Sequence, residues 1–300
     1  MNAPVVAGTD GSESSLRAVE LAAREARLRG RPLRVVHAFT WPMTRVPLGA
    51  SPLGPPDGGL RNEAEANVAE ALARARAAEP RLDVDGELVT GEPLAVLAAE
   101  SRAADLVVVG SRGLGGFTGL LVGSVAVHLA AHGECPVLVV RGREEAQGPV
   151  LLAVDGAPDG AAALEFGFAE AQRRGLPLQA LHSWNDYYYP TALAPGTMMP
   201  VAFDQEVHDA LETEAHRLLT EALAGPRERY PDVRVDAQLD RLQIRPALIE
   251  ASRRAGLLVV GARGRGGFAG LLLGSVSQAM LHHADCPVAV VRPGAEEPQD

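Results

Sequence analysis

Two stretches of this chain carry glycines at a spacing suited to holding an anion. The first is Gly110-Ser111-Arg112-Gly113, nine residues, then Gly123-Ser124. The second is Gly261-Ala262-Arg263-Gly264, nine residues, then Gly274-Ser275. Glycine lets the backbone pass close to a ligand. Gly123-Ser124 and Gly274-Ser275 fall where a helix should begin, and the free N–H groups and dipole of a helix start favour negative charge. Ser124 and Ser275 add a hydroxyl; Arg112 and Arg263 add positive charge. That is phosphate chemistry. The alternative is that the glycines serve only turns and helix packing, with the arginines solvated; recurrence of the whole spacing favours phosphate. The pattern is not GxxxxGK[ST], because all 28 basic residues are arginine. Nor is it the dinucleotide fingerprint, which follows a first strand. The turn after the first strand here, Asp10-Gly11-Ser12, is too short for that.

The other reactive side chains also admit a chemical and a structural reading. Asp10 and Asp155 each end an apolar strand; they read either as helix N-terminal carboxylates or as contacts to magnesium or ribose. His37 and His182 follow apolar strands with no nucleophile beside them and read as structural. His128 and His132 stand four apart, but the second copy has His282 and His283 instead, which argues against a metal pair. Cys135 and Cys286 each precede a proline, form no CxxC, and read as reduced packing residues. Tyr187-Tyr188-Tyr189 and Trp184 read as packing for a long loop rather than a cover for a ligand.

The elements that position these residues form a repeat. At a shift of 151, Gly110–Arg141 and Gly261–Arg292 share 19 of 32 positions without a gap. At a shift of 145, Asp10 falls over Asp155 and His37 over His182. One long repeat present twice means duplicated domains, here 1–145 and 146–300. In the first copy the spacing predicts strands at Pro4–Thr9, Leu33–Phe39, Asp83–Thr90, Leu106–Val109 and Pro136–Arg141. Helices are predicted over Ser12–Gly30, Leu60–Ala78, Pro93–Ala103 and within Leu120–His132. Trp41–Gly59, and Trp184–Asp204 in the second copy, read as loops. The expected fold is α/β: two tandem, doubly wound, five-stranded parallel sheets of Rossmann-like type. Ligands of such sheets bind beyond the carboxyl ends of the strands. That points to Asp10 and Gly110.

Composition narrows the partners. The chain has 300 residues, 47% of them apolar, and a formal charge of −10. An acidic balance argues against sequence-independent binding of nucleic acid or anionic lipid. No apolar run is long enough to span a membrane, and no basic n-region precedes an apolar stretch. A cytoplasmic protein is expected.

The pattern G-2x-G-9x-G-[ST] after the fourth strand, the opening VVAGTDGSESS, Gly91-Glu92-Pro93 and the closing CPVLVVR together resemble the universal stress protein family. The resemblance runs over essentially the whole chain, in tandem. It implies ATP with Mg²⁺ as ligand. Asp10 would lie beside the nucleotide and reach towards the metal, and Ala38 would line the adenine slot. Val109, Gly110 and Gly113 would meet the nucleotide through backbone; Gly123, Ser124 and Val125 would hold phosphate. The matching residues are Asp155, Ser183, Val260, Gly261, Gly264, Gly274, Ser275 and Val276. Ser277 would add a hydroxyl where the first copy has Ala126. The resemblance also implies that Pro136–Arg141 and Pro287–Arg292 pair with each other; a homodimer of whole chains stays an open alternative.

The implied function is that of a nucleotide-dependent stress-response sensor. The rivals are a slow ATPase or nucleotidyl-transferring enzyme on the same fold, and a structural relative without nucleotide, which should lack the glycines. The second copy departs from the family pattern. Where the first has Val89–Pro93, it has Leu242-Gln243-Ile244-Arg245-Pro246. Ile244 is expected to add bulk near the position of Gly91, and Arg245 either reaches phosphate or narrows the site. The first site is expected to bind more tightly.

Overall fold

The computed structural model describes residues 3–40, 56–113, 122–143, 148–184, 205–241, 243–264 and 272–293. The first repeat runs β1 (Val5–Thr9), α1 (Glu13–Arg29), β2 (Leu33–Phe39), α2 (Pro56–Ala78), β3 (Val84–Thr90), α3 (Pro93–Ser101), β4 (Leu106–Gly110), α4 (Ser124–His132) and β5 (Val137–Val140). The second runs β6 (Val150–Ala153), α5 (Ala161–Arg174), β7 (Leu178–Ser183), α6 (Gln205–Arg229), β8 (Val235–Asp240), α7 (Ile244–Ser252), β9 (Leu257–Gly261), α8 (Ser275–His283) and β10 (Val288–Val291). A 3₁₀ turn at Pro158–Gly160 precedes α5.

Local chemistry sets the ends of α1. The Ser12 side chain accepts from Ser15 N, and Gly30 closes the helix at φ 62°. Leu16, Val19, Ala22, Ala23 and Ala26 are buried on one face. Helix α2 starts at Pro56, four residues before the expected Leu60, so Pro56–Gly59 belongs to the helix and not to the loop. A proline is tolerated in a first helical turn, where its missing N–H has no intrahelical partner to lose. Residues 41–55 and 185–204, and with them Tyr187–Tyr189, lie outside the described residues.

Within each repeat the strands are parallel. The sheet order is β3-β2-β1-β4-β5-β10-β9-β6-β7-β8, so the two expected sheets form one of ten strands. The joint is antiparallel: Val137 pairs with Val290, Leu138 with Ala289 and Val139 with Val288. This is the expected pairing of the closing segments, and it covers two apolar edges that would otherwise invite aggregation. One face of the sheet packs on α1, α2, α5 and α6, the other on α3, α4, α7 and α8. Because the joint is antiparallel, the carboxyl ends of the two strand sets point in opposite directions. The two glycine loops therefore sit at opposite rims of the sheet. Among the described residues, no helix is long and apolar enough to cross a membrane.

Arginines lock the joint from both sides. Arg141 donates to the carbonyls of Met280 (2.9 Å) and His282 (2.8 Å) at the end of α8. Its counterpart Arg292 donates to Ala131 O at the end of α4. Each repeat thus satisfies the last carbonyls of the other's helix, where a cation also suits the dipole. On the opposite face, α1 and α5 bring together Glu25, Arg29, Glu170 and Arg174. Arg29 lies 2.5 Å from Glu170, Arg174 bonds Glu25 and Glu170, and Asp105 (3.1 Å from Arg29) and Arg173 (2.6 Å from Glu170) complete the network. Three positive and three negative groups share this partly buried space. Removing one partner leaves a charge without compensation. We expect Glu170→Ala, at a fully buried side chain, to cost about 3–5 kcal/mol of stability. Denaturant unfolding measures this, and an unchanged midpoint would show that the network does not hold the joint.

Candidate functional site

Both glycine loops are pinned at their base in the same way. In the first repeat, Ser111 N donates to Val140 O (3.0 Å) and Gly123 N donates to Ser111 O (2.7 Å). In the second, Ala262 N donates to Val291 O and Gly274 N to Ala262 O, both at 2.7 Å. Each loop therefore leaves the end of its strand and returns to the same point. There α4 and α8 begin, with Gly123 and Gly274 at the caps and so no cap side chain to bond their first N–H groups. Residues 114–121 and 265–271 lie outside the described residues.

A side chain added at each glycine would meet different things. At Gly110 a Cβ would stand 2.7 Å from Ser14 O, so the packing of α1 demands glycine there. At Gly113 it would strike Asp10 Oδ2, and at Gly264 it would stand 2.5 Å from Asp155 Oδ2; both loops pass against the aspartate. Gly123 (φ −73°, ψ 151°) and Gly274 (φ −68°, ψ 154°) adopt a conformation open to any residue. Among the described residues, a Cβ at Gly123 would meet nothing nearer than 3.6 Å, while at Gly274 it would stand 3.3 Å from Ala262 O, a tight contact. Backbone strain requires glycine at neither position, and among the described residues no hard contact requires it at Gly123.

The aspartates sit beside these loops. Asp10 Oδ1 accepts from Ser12 N (3.0 Å), and Asp155 Oδ1 accepts from Ala157 N (2.9 Å). Each carboxylate thus serves the turn before its helix through Oδ1, while Oδ2 faces the glycine loop. Among the described residues, no group of three or more His, Cys, Asp or Glu could hold a metal ion. Mg²⁺ carried on phosphates needs only one or two protein carboxylates, and Asp10 and Asp155 fit that demand. His182 Nδ1 donates to Val154 O (2.7 Å), the structural role expected of it. Burial holds His37 below the usual histidine value, with Asp10 and the Thr9 backbone opposing. Burial also pushes the thiols of Cys135 and Cys286 up to about 12, which leaves them unreactive near neutrality.

In the second repeat a cavity of about 520 Å³ opens at the carboxyl ends of β6, β7 and β9. Asp155, Ser183, Val260, Gly261, Arg263, Gly264, Gly274, Ser275, Val276 and Ser277 all line it. Every position singled out in that repeat is therefore brought to one place. Ser277 differs from expectation. Its hydroxyl donates to Gly261 O at 2.5 Å, so it braces the loop instead of offering a free donor. Gly160 and Ala163 also line the cavity. Their small size near the start of α5 is the sequence signal that accompanies them. In the first repeat, Ala38 and Val125 pack against the cluster that holds Val109 and Ala126. Arg112 and Ser124 are exposed beside Gly113 and Gly123.

The helix caps correct one alignment. Glu92 caps α3 and Gln243 caps α7. Ile244 therefore matches Pro93, Arg245 matches Leu94, and the counterpart of Gly91 is Leu242, which lies outside the described residues. Ile244 does line the cavity, but it does not stand in place of Gly91.

Residues 1–141 and 148–292 each match the family model described as the universal stress protein family. A universal stress protein of Mycolicibacterium smegmatis (strain ATCC 700084 / mc(2)155) is 37% identical over 301 residues, covering 96% of this chain and 97% of its own. One of Mycobacterium tuberculosis (strain ATCC 25618 / H37Rv) is 37% identical over 300 residues, covering 96% of each. The crystal structure of a universal stress protein from Archaeoglobus fulgidus DSM 4304 aligns with a TM-score of 0.68 at 18% identity. It covers 96% of this chain and 98% of that one, a likeness of fold.

Two tests follow from the geometry. Gly110→Ala should lower stability by roughly 1–3 kcal/mol through overpacking. Gly123→Ala should change it by no more than about 0.5 kcal/mol. Thermal unfolding separates them, and equal losses would refute the division. The second test concerns His37, whose folded-state pKa lies below 6.5. As the pH falls through 6.5 the unfolded chain takes up the proton first, so stability drops below that pH. Urea unfolding at pH 7.5 and 5.5 should show a smaller drop for His37→Asn than for the parent protein; an identical drop would contradict the assignment.

Proposed function

This chain belongs to the universal stress protein family, and on that premise we propose that it binds ATP with Mg²⁺ in each repeat and acts as a nucleotide-dependent regulator of a stress response. The phosphates lie over Gly123-Ser124 and Gly274-Ser275, against the first N–H groups of α4 and α8. Arg112 and Arg263 supply charge beside them. Asp10 and Asp155 turn Oδ2 towards the metal that the phosphates carry. Ala38 and Ser183, at the ends of β2 and β7, border the adenine. Residues 1–145 and 146–300 are the two binding units, and the chain works in the cytoplasm, where ATP is abundant and thiols stay reduced.

One observation carries this reading. Ten residues from four segments of the second repeat, the start of α8 among them, line one cavity. The enzyme alternative is less well supported. His182 is committed to a backbone carbonyl and the thiols are held protonated. Adenylating enzymes on related folds place the phosphate loop after the first strand, whereas these loops follow β4 and β9.

The test is calorimetric titration with Mg-ATP. The protein carrying both Gly123→Val and Gly274→Val should bind no ATP while keeping its circular dichroism spectrum. Unchanged affinity in that folded variant would refute the phosphate cradle.

A further inference from the structure

Each strand end at the joint holds two things at once. Val140 O accepts from Ser111 N (3.0 Å), the base of the first glycine loop. The next residue, Arg141, donates to Met280 O (2.9 Å) and His282 O (2.8 Å) in the last turn of α8. In the second repeat, Val291 O accepts from Ala262 N (2.7 Å), the base of the second loop. Arg292 then donates to Ala131 O in the last turn of α4. The antiparallel joint brings this about, because it sets the carboxyl end of β5 beside the residues that enter β10, and so beside the end of α8. Helix α8 has nine residues, about 13 Å, and starts at Ser275, which lines the second cavity. Helix α4 is as long and starts at Ser124, beside the first loop. Each helix thus opens at its own site and closes on the strand end that pins the other site's loop. Charges meet there as well. Burial holds the Arg141 guanidinium below the usual arginine value; Asp285 opposes this, and Arg112 of the first loop adds to it.

We propose that the two sites are coupled across the joint, with Val140-Arg141 and Val291-Arg292 as the links, so that nucleotide in one site raises the affinity of the other. This rests on the nucleotide reading proposed above. Coupling travels through contiguous hydrogen bonds and rigid elements. The route here is short: a loop base, two strand residues and one helix. A phosphate over Ser124 fixes the first loop and, beside Arg112, offsets the repulsion between that arginine and Arg141. Arg141 then holds the end of α8 more firmly, which keeps the first N–H groups of α8 in place for the second phosphate. Arg292 ties α4 to the second loop in the same way. The first ligand therefore leaves less to be ordered by the second. Linkage makes the effect on affinity equal in both directions.

Calorimetric titration of the full chain with Mg-ATP measures the coupling. The product of the two association constants of the parent chain is divided by the product of the single-site constants, taken from the Gly274→Val and Gly123→Val proteins. This factor should be at least about five in the parent. In the chain carrying Arg141→Gln and Arg292→Gln, set against single-site proteins with the same two changes, it should fall below about two. Each arginine change alone should also lower it, which carries the test where the double variant loses the circular dichroism spectrum of the parent. A parent factor of about one would overturn the proposal. So would a factor that survives both changes while the unfolding midpoint drops, since the arginines would then serve only the stability of the joint. A parent chain that binds no ATP would overturn the nucleotide reading, and this inference with it.

Discussion

The structure depends on the antiparallel pairing of β5 with β10. Each repeat alone would end its parallel sheet on a short, wholly buried apolar strand with an open hydrogen-bonding edge. Pairing the two edges satisfies both at once and makes one sheet of ten strands. Everything symmetric in the molecule follows from it. Arg141 and Arg292 cross the joint to cap each other's helices, and Glu25, Arg29, Glu170 and Arg174 meet on the other face. The pairing also fixes the geometry of function, because it turns the two carboxyl rims in opposite directions. The two glycine loops thereby stand at opposite rims of one sheet.

Within each site the glycines divide by what constrains them. Gly110 answers to the backbone of α1, and Gly113 and Gly264 to the aspartates they pass. Gly123 and Gly274 answer to no backbone strain, and among the described residues Gly123 meets no close contact. A helix start with a glycine cap, beside an arginine and a carboxylate, is what a phosphate with its metal requires. The site is thus a property of the loop's fixed base. The hydrogen bonds of Gly123 to Ser111 and Gly274 to Ala262 hold each helix start at the strand end.

Much of this could be read from residue order, where one physical signal dominated. Strand β2 has the bounds that its apolar run indicated, and Ser12 and Gly30 close α1 as their types suggest. The ten cavity residues of the second repeat followed from spacing and resemblance. Other features resisted because their cause is tertiary. Glu25 and Arg29 look like solvated helix charges until α5 presents Glu170 and Arg174 to them. Ser277 looked like a spare donor, but Gly261 O lies within its reach. The register of Arg245 could be fixed only once the caps of α3 and α7 were located, because the intervening turn lacks the proline that marks it in the first repeat.

A duplicated site on one sheet makes a countable claim. Native mass spectrometry of the full chain in excess Mg-ATP should show two nucleotides bound per chain, and one when Gly274→Val is introduced. A chain that carries no ATP under those conditions, or that still carries two when Gly274→Val is in place, would contradict the account.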